Sequence, residues 1–277
     1  MSFLTGFKSA PFELYTTTTS ATTVVNSDAA LVGLVGSKWT TGDGREFVLV
    51  QNGNTALTAG HIVQCPAVVS ANFVGLSPAT SGTTGYLAAY PIAAAIGEYK
   101  IQIATGATAV LANQFQGGCL NITTGTGEGQ TLKIAGNTAA ATTAACVLTL
   151  EDPFTTATST DTRYTLTLNP FGSQNGTYLY SHGVIVSPAS TLTGVPVGAC
   201  VYPIPATSAT VLSYGFLQTK GPAGIYCGAS VAIGLDVCIP DDTAGQVVTY
   251  TVAAGPRVGT TMVAGATDVA NMVNLSI

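Results

Sequence analysis

Charge is so scarce in this chain that it limits the secondary structure open to it. Eight cationic and thirteen acidic side chains are spread over 277 residues, whereas charged residues make up about 25% of an average globular protein. An amphipathic helix needs a polar face recurring every 3.6 residues. Ala- and Thr-rich stretches such as Ala139–Ala145 have no charges with which to build one. A strand asks for less, because Thr, Ser and Asn can fill alternate positions opposite an apolar face.

β signals accordingly dominate from Leu31 onward: short runs of Val, Ile, Thr, Leu and aromatics bounded by Gly, Asn, Asp and Pro. Phe47–Gln51 runs into Asn52-Gly53, a dipeptide that predicts a hairpin. Tyr164–Leu168 alternates and stops at Asn169-Pro170, Val247–Val252 reads as a strand, and Val273–Ile277 alternates to the last residue. One or two short helices are expected at most, with Ala264–Met272 the stretch chosen. The expected fold is all-β: two or three small β-barrel or β-sandwich units, jelly-roll-like topology among the options, with an extended N-terminal arm and few short helices. Loop-like joints at Gly75–Gly85, Asp152–Thr160 and Val195–Ser208 suggest an arm over 1–27 and units over 28–105, 106–205 and 206–277. Packing of the third unit on the first is one arrangement.

Residues 1–27 differ from the rest. Phe3, Phe7, Phe12 and Tyr15 are spaced apolar anchors, and a Thr/Ser-rich run, Thr16–Thr23, follows them. Without a core-facing period the segment reads either as an arm that becomes ordered against a neighbour or as a disordered terminus. The four aromatics are the expected partner contacts.

The same arithmetic excludes several functions. A net charge of −5 argues against an electrostatic nucleic-acid binder, and 47% hydrophobic residues argue against disorder. No apolar run reaches the roughly 18 residues of a membrane span; Tyr86–Ile96 comes nearest and contains Pro91. The N-terminus lacks the pattern of a signal peptide, so synthesis in a cytosol-like compartment is expected. The six cysteines form no C-x-x-C pair and read as buried reduced thiols.

Catalytic chemistry finds little support. His61 and His182 are the only histidines that could serve as the base of a triad, and each reads better as a strand or turn residue. No nucleophile elbow or phosphate-binding loop is present. Gly125–Gln130 has Gln130 where a dinucleotide fingerprint needs glycine and reads as a turn between strands. Asp241-Asp242 and Glu151-Asp152 offer oxygens to a cation or simply hold turns. Three charges crowd into Asp43, Arg45 and Glu46, where an internal ion pair is expected. No catalytic, cofactor or metal residue is therefore assigned.

Several runs, in this order along the chain, carry a family resemblance. They are Gly44–Phe47 through Gly60, Ala112–Gly118, Gly127–Thr131 with Ile134–Asn137, Leu150–Pro153, Tyr214–Ala223, then Gly234, Gly245 and Val258-Gly259. Over roughly residues 40–277 the chain resembles tailed-bacteriophage virion proteins, most closely capsid decoration, or cement, proteins. The resemblance implies a β-rich protein on the capsid exterior, assembled in the host cytoplasm. Its implied partners are the major capsid protein and copies of itself, not nucleic acid or membrane, and it implies no cofactor. The alternative is a tail or spike component that binds host glycans, although one Trp and 8% aromatics supply few sugar-stacking platforms.

Overall fold

The computed structural model describes residues 34–66, 74–76, 93–105, 109–160, 162–172, 183–207, 212–239, 243–251 and 255–277. The expected partner contacts Phe3, Phe7, Phe12 and Tyr15 lie outside them, as do His182, Asp241 and Asp242. The described residues are all-β, with no helix among them.

In chain order the strands are β1 (Lys38–Thr40), β2 (Glu46–Gln51), β3 (Ile62–Gln64), β4 (Val74–Leu76), β5 (Lys100–Ala104), β6 (Cys119–Thr124), β7 (Thr131–Asn137) and β8 (Ala145–Leu150). They continue as β9 (Arg163–Leu166), β10 (Ile185–Val186), β11 (Pro196–Cys200), β12 (Tyr214–Cys227), β13 (Asp236–Cys238), β14 (Val248–Thr249), β15 (Arg257–Thr261) and β16 (Val269–Ser276). By contacts the chain falls into two units. One comprises 1–67, 170–172 and 176–277; the other comprises 68–169 and 173–175.

The second unit is a six-stranded antiparallel sheet in the order β4-β9-β6-β7-β8-β5. Its inward positions form one core of Ile101, Ile103, Phe115, Leu120, Ile122, Ile134, Leu148, Phe154 and Tyr164, among others. The β6–β7 connection is the Gly125–Gln130 turn expected from the sequence. Gln130 fastens it: Nε2 donates to Gly127 O (3.1 Å) and Thr156 O (3.0 Å), and Oε1 accepts from the Thr155 and Thr156 amides.

The first unit holds a ten-stranded sheet, β10-β3-β11-β12-β16-β15-β13-β14, with β2 also pairing β12 and β1 pairing β2. β12 is the longest strand although Gly215, Gly221, Pro222 and Gly224 interrupt it; side-chain packing overrides low β propensity here. Pro222 is tolerated for an identifiable reason. Ile277 N donates to Thr219 O, so the odd-numbered residues nearby turn their polar groups toward β16. The N–H that Pro222 lacks would have pointed the other way. On that side Gln218 Nε2 donates to the Lys220 and Pro222 carbonyls (3.0 and 2.9 Å), satisfying groups the ladder leaves free.

Three expectations are corrected. Asn52-Gly53 makes no hairpin, because β2 pairs β1 and β12 rather than β3. Its polar groups are committed elsewhere: Asn52 Nδ2 donates to Thr55 O (2.9 Å) and Pro205 O (2.7 Å), and the Asn52 and Gly53 amides donate to Ser213 O and Val184 O. Ala264–Met272 is not helical. Gly265 bridges Val231, and β16 begins at Val269, where the alternating burial of Val273 and Leu275 makes strand pairing the better use of the sequence. Val195–Ser208 is not a plain loop, since it contains β11.

Candidate interaction face

β16 is paired on both sides, to β12 through eight residues and to β15 through three. Residues directly opposite in an antiparallel pair share a face, so the register fixes two surfaces. The inner one places Ala223, Ile225, Cys227, Val273 and Leu275 in a common core. The outer one is built of rows. Lys220 faces Ser276; Pro222 faces Asn274 and, one strand further, Thr260; Gly224 faces Met272; Tyr226 faces Ala270. Met262 N donates to Met272 O (2.8 Å), extending the pairing so that the two methionines sit side by side.

This outer face is open and almost uncharged. Met262 and Met272 are each 44% exposed, and Ile233, Leu235 and Val263 are exposed nearby. Gly234 N donates to Thr261 O, and Thr261 N to Leu235 O, which ties the 233–235 turn to the methionine end of β15. Among the described residues nothing lies within 4 Å of a Cβ built on Gly224 or Gly234. The result is a thioether ridge flanked by open floor. Apart from Met1, these are the chain's only methionines, and exposed thioethers suit adaptable binding surfaces. Two ion pairs border the face: Lys220 with Glu46 (3.0 Å), and Arg257 with Asp236 (3.0 Å), which also accepts from Thr260 (2.8 Å).

At one end of the face stands His61. Its ring meets Tyr226 edge-on, with centroids 5.5 Å apart, and burial pushes its pKa below the usual histidine value. The close packing depends on two glycines. Gly60 (φ +85°) would bring a Cβ within 2.7 Å of the Tyr226 ring, and Gly245 (φ +77°) within 2.7 Å of His61 Cβ. His61 lies immediately before β3.

The remaining sequence candidates are accounted for one by one. Arg45 Nε lies 2.7 Å from Asp43 Oδ2, the internal ion pair expected there. Hydrogen bonds from the Thr41 hydroxyl and the Arg45 amide, with the guanidinium adding to them, hold the Asp43 carboxyl down to about 2. Glu151 pairs with Lys133 (3.0 Å). The six cysteines are thiols, five of them buried and Cys119 half-buried. Burial pushes the Cys146 thiol up to about 11 and the Cys200 thiol up to about 12. Among the described residues no group of three or more His, Cys, Asp or Glu is placed to hold a metal ion, and no helix is long and apolar enough to cross a membrane.

Sequence reading missed the methionine face because it took Ala264–Met272 for a helix. The signal was present: the alternation assigned to Val273–Ile277, carried back two steps, turns Met272 outward beside Asn274. No family model matches the chain, and neither a curated protein nor a solved structure matches it.

Proposed function

We propose that this chain is a structural protein of a tailed-bacteriophage virion that binds the outer surface of the capsid and stabilises it. The observation that carries this reading is the open, charge-poor outer face of β12, β16 and β15. Broad contact without buried unpaired charge avoids the desolvation penalty of ionic interfaces, and many weak copies on one shell bind strongly together. The ordered sequence runs that resemble decoration proteins support the same assignment. In this reading the partners are the major capsid protein and sister copies, and the chain performs no catalytic step.

The test is to add purified protein to heads that lack it and image them. Regular added density on the shell, with greater resistance to heat or chelator, is the expected result. Absence of the chain from intact virions overturns the proposal. Glycan-array binding without head binding would instead assign the chain to the tail or a spike.

A further inference from the structure

We infer that the outer face of β12, β16 and β15 is where two copies of this chain meet. They pack face to face about a two-fold axis, with Met272 of each copy seated on Gly224 of the other. The inference rests on the reading of that face as a contact surface and names its occupant as a sister copy. Shape, charge and size carry it.

The register supplies both halves of the fit. Gly224 faces Met272. Met262 N donates to Met272 O, Gly234 N donates to Thr261 O, and Thr261 N donates to Leu235 O. Across the strands one row therefore reads Gly224, Met272, Met262, Gly234. Two adjacent thioethers stand between two glycines whose added Cβ would meet nothing within 4 Å among the described residues. A two-fold contact needs one patch that complements itself. This row does so. An axis lying in the face, along the strands and between Gly224 and Met272, places ridge on floor in both directions at once. Methionine suits the task because its unbranched side chain fills irregular gaps. β12 and β16 pair through eight residues over a common core. The face is thus formed before contact, and little ordering entropy is lost on association.

Charge favours a like partner. The Lys220–Glu46 and Arg257–Asp236 pairs at the border are each closed within one chain. Two identical rims of this kind meet as neutral pairs, without the like-charge juxtaposition that suppresses wrong partners.

Size sets the strength. Ile233 is 66% exposed, Val263 55% and Leu235 43%, beside two methionines at 44%. The face runs from Lys220 to Tyr226 along β12 and from Gly224 to Gly234 across the strands. That is about 20 by 14 Å between Cα atoms, or roughly 500 Å² once the side chains at its margins are counted. Two such faces bury about 1,000 Å² together, the threshold for a specific interface. A contact of that size is weak in dilute solution and becomes strong where copies are held side by side on a shell.

The experiment is sedimentation equilibrium of the full chain from about 1 to 100 µM, the range in which weak complexes dissociate. The wild type is expected to move from one chain toward two across the series. Met262→Lys/Met272→Lys is expected to stay at one chain throughout. Ile96→Lys, at an exposed position in the other unit, is expected to behave as the wild type. A second measurement needs no variant: the Met262 and Met272 ε-methyl NMR signals of the wild type should shift as the mass rises. A wild type that stays at one chain overturns the inference. So does a dimer whose methionine signals do not move with concentration, which assigns the contact to another face. Head binding by a chain that never dimerises overturns this inference and leaves the capsid reading standing. A dimer that fails to bind heads does the reverse.

Discussion

Tyr214 and Gln51 stand directly opposite each other on β12 and β2. Both are buried, and among the described residues neither the Tyr214 hydroxyl nor the Gln51 carboxamide has a hydrogen-bond partner. Burial alone pushes the phenol up to about 12. An unsatisfied buried hydroxyl costs about 1–3 kcal/mol, so Tyr214→Phe is expected to stabilise the protein by roughly 1 kcal/mol in urea unfolding. A loss of stability would show that the hydroxyl is satisfied after all. His61 carries a pH dependence of definite sign. Burial holds its folded value below the ordinary histidine value of about 6.5, so the unfolded chain takes up the proton first. The stability His61 contributes is complete above that value and is lost as pH falls through it toward the folded value. Thermal melts from pH 8 to 5 should therefore show an acid decline that His61→Phe reduces. Thiol chemistry gives a third check: a thiol-specific reagent should label Cys119 in the native state and the other five cysteines only after unfolding. Much at this scale was legible in the sequence, including the Asp43–Arg45 pair and the apolar role of the cysteines, because short-range chemistry decides them. The Tyr214–Gln51 conflict was not, since it exists only once residues 163 positions apart are brought together.

The element that organises the first unit is the β12–β16 pair. Its alternation predicts opposite responses at neighbouring positions. Ile225 is fully buried, and Ile225→Ala should cost about 2–5 kcal/mol, the range for large-to-small core changes. Gly224, one residue away, looks onto open space, and Gly224→Ala should be neutral or stabilising by about 0.5 kcal/mol through the unfolded chain. Denaturant midpoints of the two variants measure the contrast, and similar losses at both sites would contradict the assigned faces. Strands with clean alternation were legible: Tyr164–Leu168 overlaps β9, and Val273–Ile277 overlaps β16. The Asn52-Gly53 hairpin failed because the chemistry that suits a tight turn also suits a hub. Asn52 spends its side chain on carbonyls more than 150 residues away, and no local pattern announces such partners.

For the whole molecule, scarcity of charge predicts indifference to salt. The four described ion pairs are all partly exposed, and pairs of this kind contribute about 0–1 kcal/mol each. The melting temperature should therefore move little between about 0.05 and 0.5 M NaCl, although screening tightens severalfold over that range. A large shift would mean that charge carries more of the stability than the packed cores. The strand order has a separate consequence, for the timing of folding on the ribosome. β16 lies between β12 and β15, and β12 in turn meets β2 and β11. The ten-stranded sheet thus joins strands that precede the six-stranded one in the sequence to strands that follow it, and cannot close until residues 269–276 have been made. The six-stranded sheet is complete in sequence by Leu166 and can fold while translation continues. Before β10, β11 and β12 are made, β3 waits unpaired and β2 has only β1 beside it, an interval in which a nascent chain is open to chaperone capture or misassociation.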